Sequence, residues 1–187
     1  MPFRFRIEKG PARVSSRFWL FIATCLAVVP WAPSCSNDDH CKAGHACICD
    51  GPEVCRLTCG DDPNCNPICR GADDCAADCV DACAFDCSGG TLCGVTCGDG
   101  CNIECNSADN CEASCGAQCT YHCTSVSECT PEVGVDSVVV CDSVGSCNVI
   151  CHGACSVQCH SVGSCNVQCD GSAPSSCADG TLACGNC

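Results

Sequence analysis

From residue 49 onward, apolar and polar positions alternate within short segments that are bounded by cysteines. The middle residue of each segment is usually apolar, and its two neighbours are mostly polar or small. The middle residues are Leu57, Ala77, Phe85, Val95, Ile103, Ala113, Tyr121, Val139, Val149, Val157 and Val167. On a strand these residues share a face with the flanking cysteines, whereas on a helix they would point away from the cysteine stripe. The pattern therefore predicts strands of five residues.

The cysteines recur with a fixed period. From Cys69 onward the gaps between them run 6, 4, 4, 4 and repeat, so that the period is eighteen residues. The segment 141–169 shows it best, because SVGSCNV occurs there twice, eighteen residues apart. Gly, Asn, Asp and Ser crowd the gaps between strands, as is typical of tight turns. One coil is thus predicted to be a strand, a three-residue turn, a second strand and a five-residue turn.

Such a period predicts a solenoid, in which each coil buries its inner face only against the next coil. The predicted fold class is all-β, a small two-sided β-solenoid with coils of about 18 residues that are cross-linked by many disulfides. Roughly seven coils, each rising by about 4.8 Å, would make a rod on the order of 35 Å long. A left-handed β-helix also has eighteen-residue coils and is the alternative fold, although its marker residues would recur every six positions.

This spacing, over residues 49–169, resembles that of the disulfide-braced β-solenoids. The short-repeat insect antifreeze proteins are the best known of them, and the cysteine-rich repeat lipoproteins of myxobacteria are similar. Antifreeze activity would imply a flat array of Thr-x-Thr on one strand face. The corresponding outward positions are Asn102 with Glu104, Thr120 with His122, Asn148 with Ile150, and Ser156 with Gln158. The resemblance therefore implies the fold and not the antifreeze function.

The first 34 residues differ in composition from the rest. They contain five of the eight basic residues, then the apolar run Phe18–Val29, then a short segment with small residues. This order is typical of a secretory signal peptide. The apolar run is too short to cross a bilayer, which needs roughly twenty residues. We therefore predict that residues 1–34 are a signal peptide and that the protein is exported.

The residues around Cys35 indicate how the exported chain could be attached to a membrane. APSC at positions 32–35 suits an ordinary signal peptidase, and it also resembles a bacterial lipobox, although Ala32 stands where Leu is usual. The polar SNDD that follows resembles the tether of a lipoprotein, and Ser36 resembles the signal for export to the outer membrane. We predict lipidation of Cys35 and an outer membrane lipoprotein, with free secretion into the extracellular space as the alternative.

The predicted organisation has four parts. A signal peptide (1–34) is followed by a lipidated or free tether (35–48), a cysteine-rich β-solenoid (49–176) and a disulfide-closed cap (177–187). Without the leader, the chain has 3 basic and 21 acidic side chains, a formal charge of −18. Such a surface repels nucleic acids and anionic lipids. We expect no nucleic-acid partner and membrane contact through the lipid anchor only, and we leave open an extracellular protein or polysaccharide partner.

The cysteine content identifies what holds the fold together. There are 32 cysteines in 187 residues, which is typical of a secreted disulfide scaffold. Phe85 and Tyr121 are the only aromatic residues after the leader, so no ordinary apolar core can form. Cys25 leaves with the leader and Cys35 would carry the lipid, which leaves an even number, 30.

Two cysteines four residues apart on one strand lie about 13 Å from each other, so partners must meet across a turn or between coils. In segment 123–141 the period predicts cysteines at both ends of the short turn, but Val133 and Ser137 stand there. The two cysteines are missing together, which is the pattern expected if they form a disulfide. Bonding equivalent cysteines of successive coils, such as Cys147 with Cys165, is the competing scheme. The turn-closing scheme pairs Cys41 with Cys47, Cys49 with Cys55, Cys59 with Cys65, Cys69 with Cys75, Cys79 with Cys83, Cys87 with Cys93, Cys97 with Cys101, Cys105 with Cys111, Cys115 with Cys119, Cys123 with Cys129, Cys141 with Cys147, Cys151 with Cys155, Cys159 with Cys165, Cys169 with Cys177, and Cys184 with Cys187.

Metal binding by thiolates is the rival use of these cysteines. Metallothionein-like chains are dense in C-x-C, which occurs here once, at Cys47 and Cys49, and an oxidising compartment favours disulfides. The segment DDHCKAGHAC, with Asp38, Asp39 and His40 near its start, could supply further ligands, and so could His45. We favour a polar tether there. No metal site and no cofactor are predicted.

Two further sets of side chains are candidate sites. His152 and His160 each follow a cysteine that ends a strand, and we expect exposed turn residues, not a catalytic pair. Asp81, Asp99 and Asp136 lie at or near short turns and could stack into a calcium site, although a solvated acidic face is favoured.

The chain has no P-loop, dinucleotide fingerprint or nucleophile elbow, and disulfide-bonded cysteines are not nucleophiles. No catalytic residues and no enzyme are expected. The prediction is a non-enzymatic cell-surface or secreted module, a rigid rod for spacing, adhesion or partner binding. A metal-sequestering protein is the alternative.

Overall fold

The computed structural model of the protein describes residues 41, 44–51 and 54–187. The predicted signal peptide and the predicted lipidation site, Cys35, lie outside these residues. The described strands are β1 (Ala46–Asp50), β2 (Val54–Thr58), β3 (Asn66–Arg70), β4 (Asp74–Asp78), β5 (Ala84–Ser88), β6 (Leu92–Cys97), β7 (Asn102–Asn106), β8 (Asn110–Cys115), β9 (Thr120–Thr124), β10 (Glu128–Val133), β11 (Ser137–Asp142), β12 (Ser146–Cys151), β13 (Cys155–His160), β14 (Ser164–Cys169), β15 (Ser175–Ser176) and β16 (Leu182–Cys184). β1 begins inside the segment predicted as the tether.

Successive strands belong alternately to two sheets. The odd-numbered strands β1 to β13 form one sheet, which β16 and β15 extend, and the even-numbered strands β2 to β14 form the other. Neighbouring strands from β1 to β14 are parallel and pair residues eighteen apart, except in the first coil, where Val54 pairs with Asp74. The predicted all-β fold, a two-sided β-solenoid of about seven coils, is confirmed. We call these sheets the odd sheet and the even sheet.

The longer first coil has a local cause. Its short turn, between Cys59 and Cys65, contains five residues where later short turns contain three. The two added residues account for the register of twenty between β2 and β4. From β3 onward the pairing returns to eighteen, as between Cys69 and Cys87.

The interior of the solenoid is the face that the sequence pattern predicts. All eleven middle residues of the strand segments are buried, and so are most of the cysteines beside them. Tyr121, for example, stacks in register between Ile103 and Val139 and is 1 % exposed. Burial raises the pKa of the Tyr121 phenol well above its ordinary value, and the Glu112 charge adds to this effect. Tyr121 therefore stays neutral and acts as a packing residue.

The repeated SVGS segment is a long turn with a buried residue that sequence analysis did not identify. Ser143 has φ of 58°, in the left-handed region. The next residue, Val144, then turns inward and is 2 % exposed. Gly145 follows, where a Cβ would lie 2.6 Å from the carbonyl oxygen of Ser127 in the preceding coil. Glycine is required there because the backbones of two coils approach too closely for any side chain.

Thirteen disulfides have the predicted partners. Their separations are four or six residues; twelve of them close turns between consecutive strands, and Cys41–Cys47 joins the segment before β1 to β1. The competing scheme is not found among the described residues, because Cys147 and Cys165 are register neighbours that bond to Cys141 and Cys159 respectively.

The last two predicted pairs are wrong. Cys169 bonds to Cys184, not to Cys177, and Cys177 bonds to Cys187. The reason is that the chain reverses after β14, and β16 pairs with β13 in the antiparallel direction, which places Cys184 opposite Cys155. Cys169 is the register neighbour of Cys151. The Cys169–Cys184 bond therefore stacks on the Cys151–Cys155 bond, and Cys177 is left to close the cap.

Candidate functional site

The outward faces of the two sheets carry the polar side chains. The outer face of the even sheet forms an open groove of about 580 Å³, whose lining includes the small residues Ala76 and Gly94 and the carboxylates of Glu112 and Glu132. At one end of this groove Arg56 forms an ion pair with Asp74 of the next coil, at 3.0 Å. The pair is exposed, so it contributes little to stability. The groove is acidic and suits a surface contact more than a reaction centre.

A second depression lies beside the C-terminal cap. This open cleft of about 690 Å³ is lined on one side by Asp136, Val138 and Ser156 and on the other by cap residues that include Asp179. The backbone N–H of Thr181 donates to Asp179 Oδ1 at 3.0 Å. This hydrogen bond lowers the pKa of the Asp179 carboxyl below its ordinary value, so Asp179 is ionised at neutral pH.

The aspartates of the short turns bond to the backbone of the next coil. Asp81 Oδ1 accepts a hydrogen bond from the N–H of Asp99 at 2.8 Å, and Asp99 Oδ1 accepts one from the N–H of Ala117 at 2.7 Å. Asp136 occupies a different position, the third of its turn, with φ of 58°. All three side chains are exposed, but they do not form one column of carboxylates. Asp81 and Asp99 thus have a structural role between coils.

His152 is the one candidate histidine that the structure connects to acidic side chains by described contacts. Its Nδ1 lies 2.9 Å from Asp170 Oδ2, and its Nε2 lies 2.5 Å from Glu132 Oε1. The hydrogen bonds with Asp170 and then with Glu132 raise the pKa of His152 above its ordinary value. Sequence reasoning missed this cluster, although Asp170 is one period away, because Glu132 lies twenty residues from His152.

The remaining candidates are not brought together into a site. His160 is exposed at the end of β13, where it pairs in register with Asp142, while His152 directly follows β12 in the short turn before β13. His45 is exposed. Asp38, Asp39 and His40, the other ligands considered in that segment, lie outside the described residues.

In the part of the chain that the structure describes, sulfur atoms cluster at the contacts between coils. Sulfurs of adjacent coils approach closely, as Cys59 Sγ does to Cys79 Sγ at 3.6 Å. Several sets of three sulfurs lie within 4.8 Å of one another, and they include Cys41 with Cys59 and Cys65, Cys59 with Cys79 and Cys83, Cys93 with Cys105 and Cys111, Cys97 with Cys101 and Cys115, and Cys129 with Cys141 and Cys147. All of these cysteines are in disulfides, so their sulfurs are not thiolates.

Comparisons of this chain with protein-family models, with curated proteins and with solved structures find no match. The disulfide-rich β-solenoid is shown by the structure itself. The link to the lipoproteins of myxobacteria remains a resemblance in cysteine spacing. Among residues 41–187, as far as the structure describes them, no helix is long and apolar enough to cross a membrane.

Proposed function

We propose that the protein is a non-enzymatic structural module of the cell surface, a rigid rod that separates or presents other groups. The observation that carries the proposal is the covalent closure of nearly every turn, from Cys49–Cys55 to Cys159–Cys165. Each closed turn holds its two strands in place and removes conformations from the unfolded chain, so every coil is braced separately. So many disulfides also fit an oxidising, extracellular or exported environment.

The described side chains favour a structural role over catalysis. The two ring nitrogens of His152 face carboxylates, whereas a nucleophilic mechanism would place a hydroxyl or thiol beside one of them. Asp81 and Asp99 bond to backbone N–H groups of the next coil. The outward faces are left for contact, and the acidic groove of the even sheet is the surface that we propose for an extracellular protein or polysaccharide partner. We propose no nucleic-acid partner.

Limited proteolysis tests the rod. The oxidised protein should resist a broad-specificity protease for far longer than the reduced protein, because proteases cleave chain segments that can open locally. Deleting one whole coil, residues 88–105, removes one repeat with its ends in register and should leave a protease-resistant rod that is shorter by about 4.8 Å. Small-angle scattering would measure that length. Equal protease sensitivity before and after reduction would contradict the proposal.

Lipidation is the proposed means of attachment. The sequence APSC followed by SNDD supports cleavage before Cys35 and acylation of that cysteine, with the outer membrane as destination. Intact mass spectrometry of the protein from its native source tests this proposal. A mature chain that begins at Cys35 and has the mass of added acyl chains supports a lipoprotein. An unmodified Cys35 at the N-terminus leaves free secretion.

Metal sequestration is the second candidate, and the grouping of sulfurs from adjacent coils is the observation that favours it. It requires free thiolates, which disulfides do not supply. Counting thiols in the denatured, unreduced protein separates the two candidates. Few or no free thiols support the structural module, and a large excess of thiols supports the metal buffer.

A further inference from the structure

Stacked disulfides bring sulfurs of two successive coils close together. Strands β6 and β8 pair in register, so that Cys97 lies directly beside Cys115 of the next coil. Cys97 bonds to Cys101, and Cys115 bonds to Cys119. The sulfurs of Cys97, Cys101 and Cys115 lie within 4.8 Å of one another and are buried. Cys119 is the disulfide partner of Cys115, so the two stacked disulfides supply four cysteines.

The same arrangement occurs two coils earlier. Cys59 Sγ lies 3.6 Å from Cys79 Sγ and 4.0 Å from Cys83 Sγ. Cys59 is itself bonded to Cys65, so two disulfides again contribute four sulfurs. In a tetrahedral zinc site with zinc–sulfur bonds of 2.3 Å, the sulfurs are about 3.8 Å apart. The contacts of Cys59 with the second disulfide are therefore close to this spacing, whereas the two sulfurs of each disulfide are bonded and move apart only after reduction.

We propose that pairs of stacked disulfides, once reduced, become four-thiolate sites for zinc-like divalent ions. One such site is formed by Cys97, Cys101, Cys115 and Cys119, and another by Cys59, Cys65, Cys79 and Cys83. Each ion lies between two coils. This inference does not depend on the structural role proposed above, because it concerns a different redox state of the same chain.

The chemistry requires an external reductant, for which a water-soluble phosphine serves. For each disulfide, the phosphine supplies two electrons, water supplies two protons for the thiols, and the phosphine leaves as its oxide. The ion then displaces the four thiol protons of a site, and the buffer accepts them. Reduction of two disulfides thus yields one site.

A metal ion bound in this way would stabilise the solenoid, whereas an ion bound to thiols of an unfolded chain would not. Each disulfide closes a turn between consecutive strands, whereas an ion at Cys97, Cys101, Cys115 and Cys119 would also link two successive coils. The ion therefore replaces the lost turn closures and adds a link between coils. The reduced, zinc-loaded protein should retain the strands of the solenoid, while the reduced, metal-free protein loses them.

The experiment adds Zn²⁺ to the phosphine-reduced protein and measures bound ions by native mass spectrometry and strand content by far-ultraviolet circular dichroism. The informative variant is C97S/C101S. It leaves Cys115 and Cys119 between two serines on one side and Val133 and Ser137 on the other, so no second pair of cysteines remains beside them. We expect this variant to bind one zinc ion fewer than the unaltered chain.

The matched control is C177S/C187S. It also removes two bonded cysteines, but Cys177 and Cys187 close the cap and belong to no register pair of strands. We expect the control to keep the full number of ions. Circular dichroism of both variants before reduction verifies that each one folds, and C97A/C101A replaces the serine variant if it does not.

Three results would overturn the proposal. The first is a reduced protein that binds no zinc, and the second is bound zinc without the strand signal. The third is an equal loss of ions in C97S/C101S and C177S/C187S, which would mean that the ions bind wherever thiols are present.

Discussion

The hydroxyl oxygen of Ser137 accepts a hydrogen bond from the backbone N–H of Cys119, eighteen residues earlier, at 3.1 Å. Ser137 pairs in register with Cys155 of the next coil. It therefore occupies a position at which the other coils have a disulfide-bonded cysteine. It is 1 % exposed. Val133, at the other end of the same short turn, pairs with Cys115 and Cys151 and is also buried. A hydrogen bond and a packed valine thus replace one disulfide.

Ser137→Ala should destabilise the protein by about 1 kcal/mol, because the buried N–H of Cys119 loses its acceptor. The measurement is the free energy of unfolding in guanidinium chloride, without reductant. Ser156→Ala, at a partly exposed position on the neighbouring strand, is the control and should change the free energy by much less. Equal effects of the two substitutions would mean that the Ser137 hydrogen bond contributes nothing.

The double substitution V133C/S137C should restore the missing disulfide. The equivalent pairs Cys115–Cys119 and Cys151–Cys155 have Cα separations of 6.5 and 6.1 Å, and the new cysteines occupy the same register positions. Closing such a short loop should stabilise the protein by about 2 kcal/mol in the chain-entropy model. Mass spectrometry would verify the bond, and denaturation the gain. The single variant V133C has no partner and serves as control; two free thiols in the double variant would contradict the prediction.

Gly116→Ala should destabilise the contact between two coils, because a Cβ at that position would lie 2.2 Å from Asp99 Oδ1. Asp99→Ala should cost about 1–2 kcal/mol by removing the acceptor of the Ala117 N–H. In the double variant the clash with the carboxylate is gone. The two losses should therefore be less than additive, although a Cβ would still lie 3.0 Å from the carbonyl oxygen of Gly98. Strictly additive losses in a double-mutant cycle would refute this coupling.

The contribution of His152 to stability should depend on pH. Its pKa is raised in the folded state by Asp170 and Glu132, so the folded protein binds the proton more tightly than the unfolded chain. The contribution is therefore present below the unfolded pKa of about 6.5 and lost as pH rises through the folded pKa. It also fades below about pH 4, where the two carboxylates become protonated.

The measurement compares the unfolding free energies of the unaltered protein and His152→Gln at about pH 5.5 and about pH 9. The free energy of unfolding of the unaltered protein should exceed that of the variant by more at the lower pH than at the higher pH. Added salt should reduce this difference because the site is exposed. In the E132Q/D170N variant the titration of His152, followed by NMR, should move toward its ordinary pKa. An unchanged titration would show that the two carboxylates do not bind the ring in solution.

Reduction in the absence of metal should unfold the solenoid. Its interior consists mainly of sulfur and small side chains, with Phe85 and Tyr121 the only aromatic residues among the described part of the chain. Each short-loop disulfide contributes about 2 kcal/mol, and the contributions do not simply add. Circular dichroism with and without a phosphine in metal-free buffer is the test. A strand signal that survives complete reduction would mean that burial alone holds the fold.

The amino-acid sequence by itself determined the period, the strands of the solenoid and thirteen disulfides. These features are local: a cysteine at the end of one strand finds its partner across a turn of a few residues, as Cys97 finds Cys101. The alternation of Val149 with its polar neighbours likewise specifies which face is buried, since side chains on a strand alternate between faces.

Only the tertiary structure decided the features that depend on how coils or the cap approach one another. Cys169 bonds to Cys184 because β16 returns antiparallel to β13, a reversal that breaks the period on which the sequence prediction rests. The contact of His152 with Glu132 also spans more than one period. Asp99 reaches the N–H of Ala117 only because Gly116 leaves room for its carboxylate. Such contacts depend on chain direction and on space between coils, which residue spacing alone does not encode.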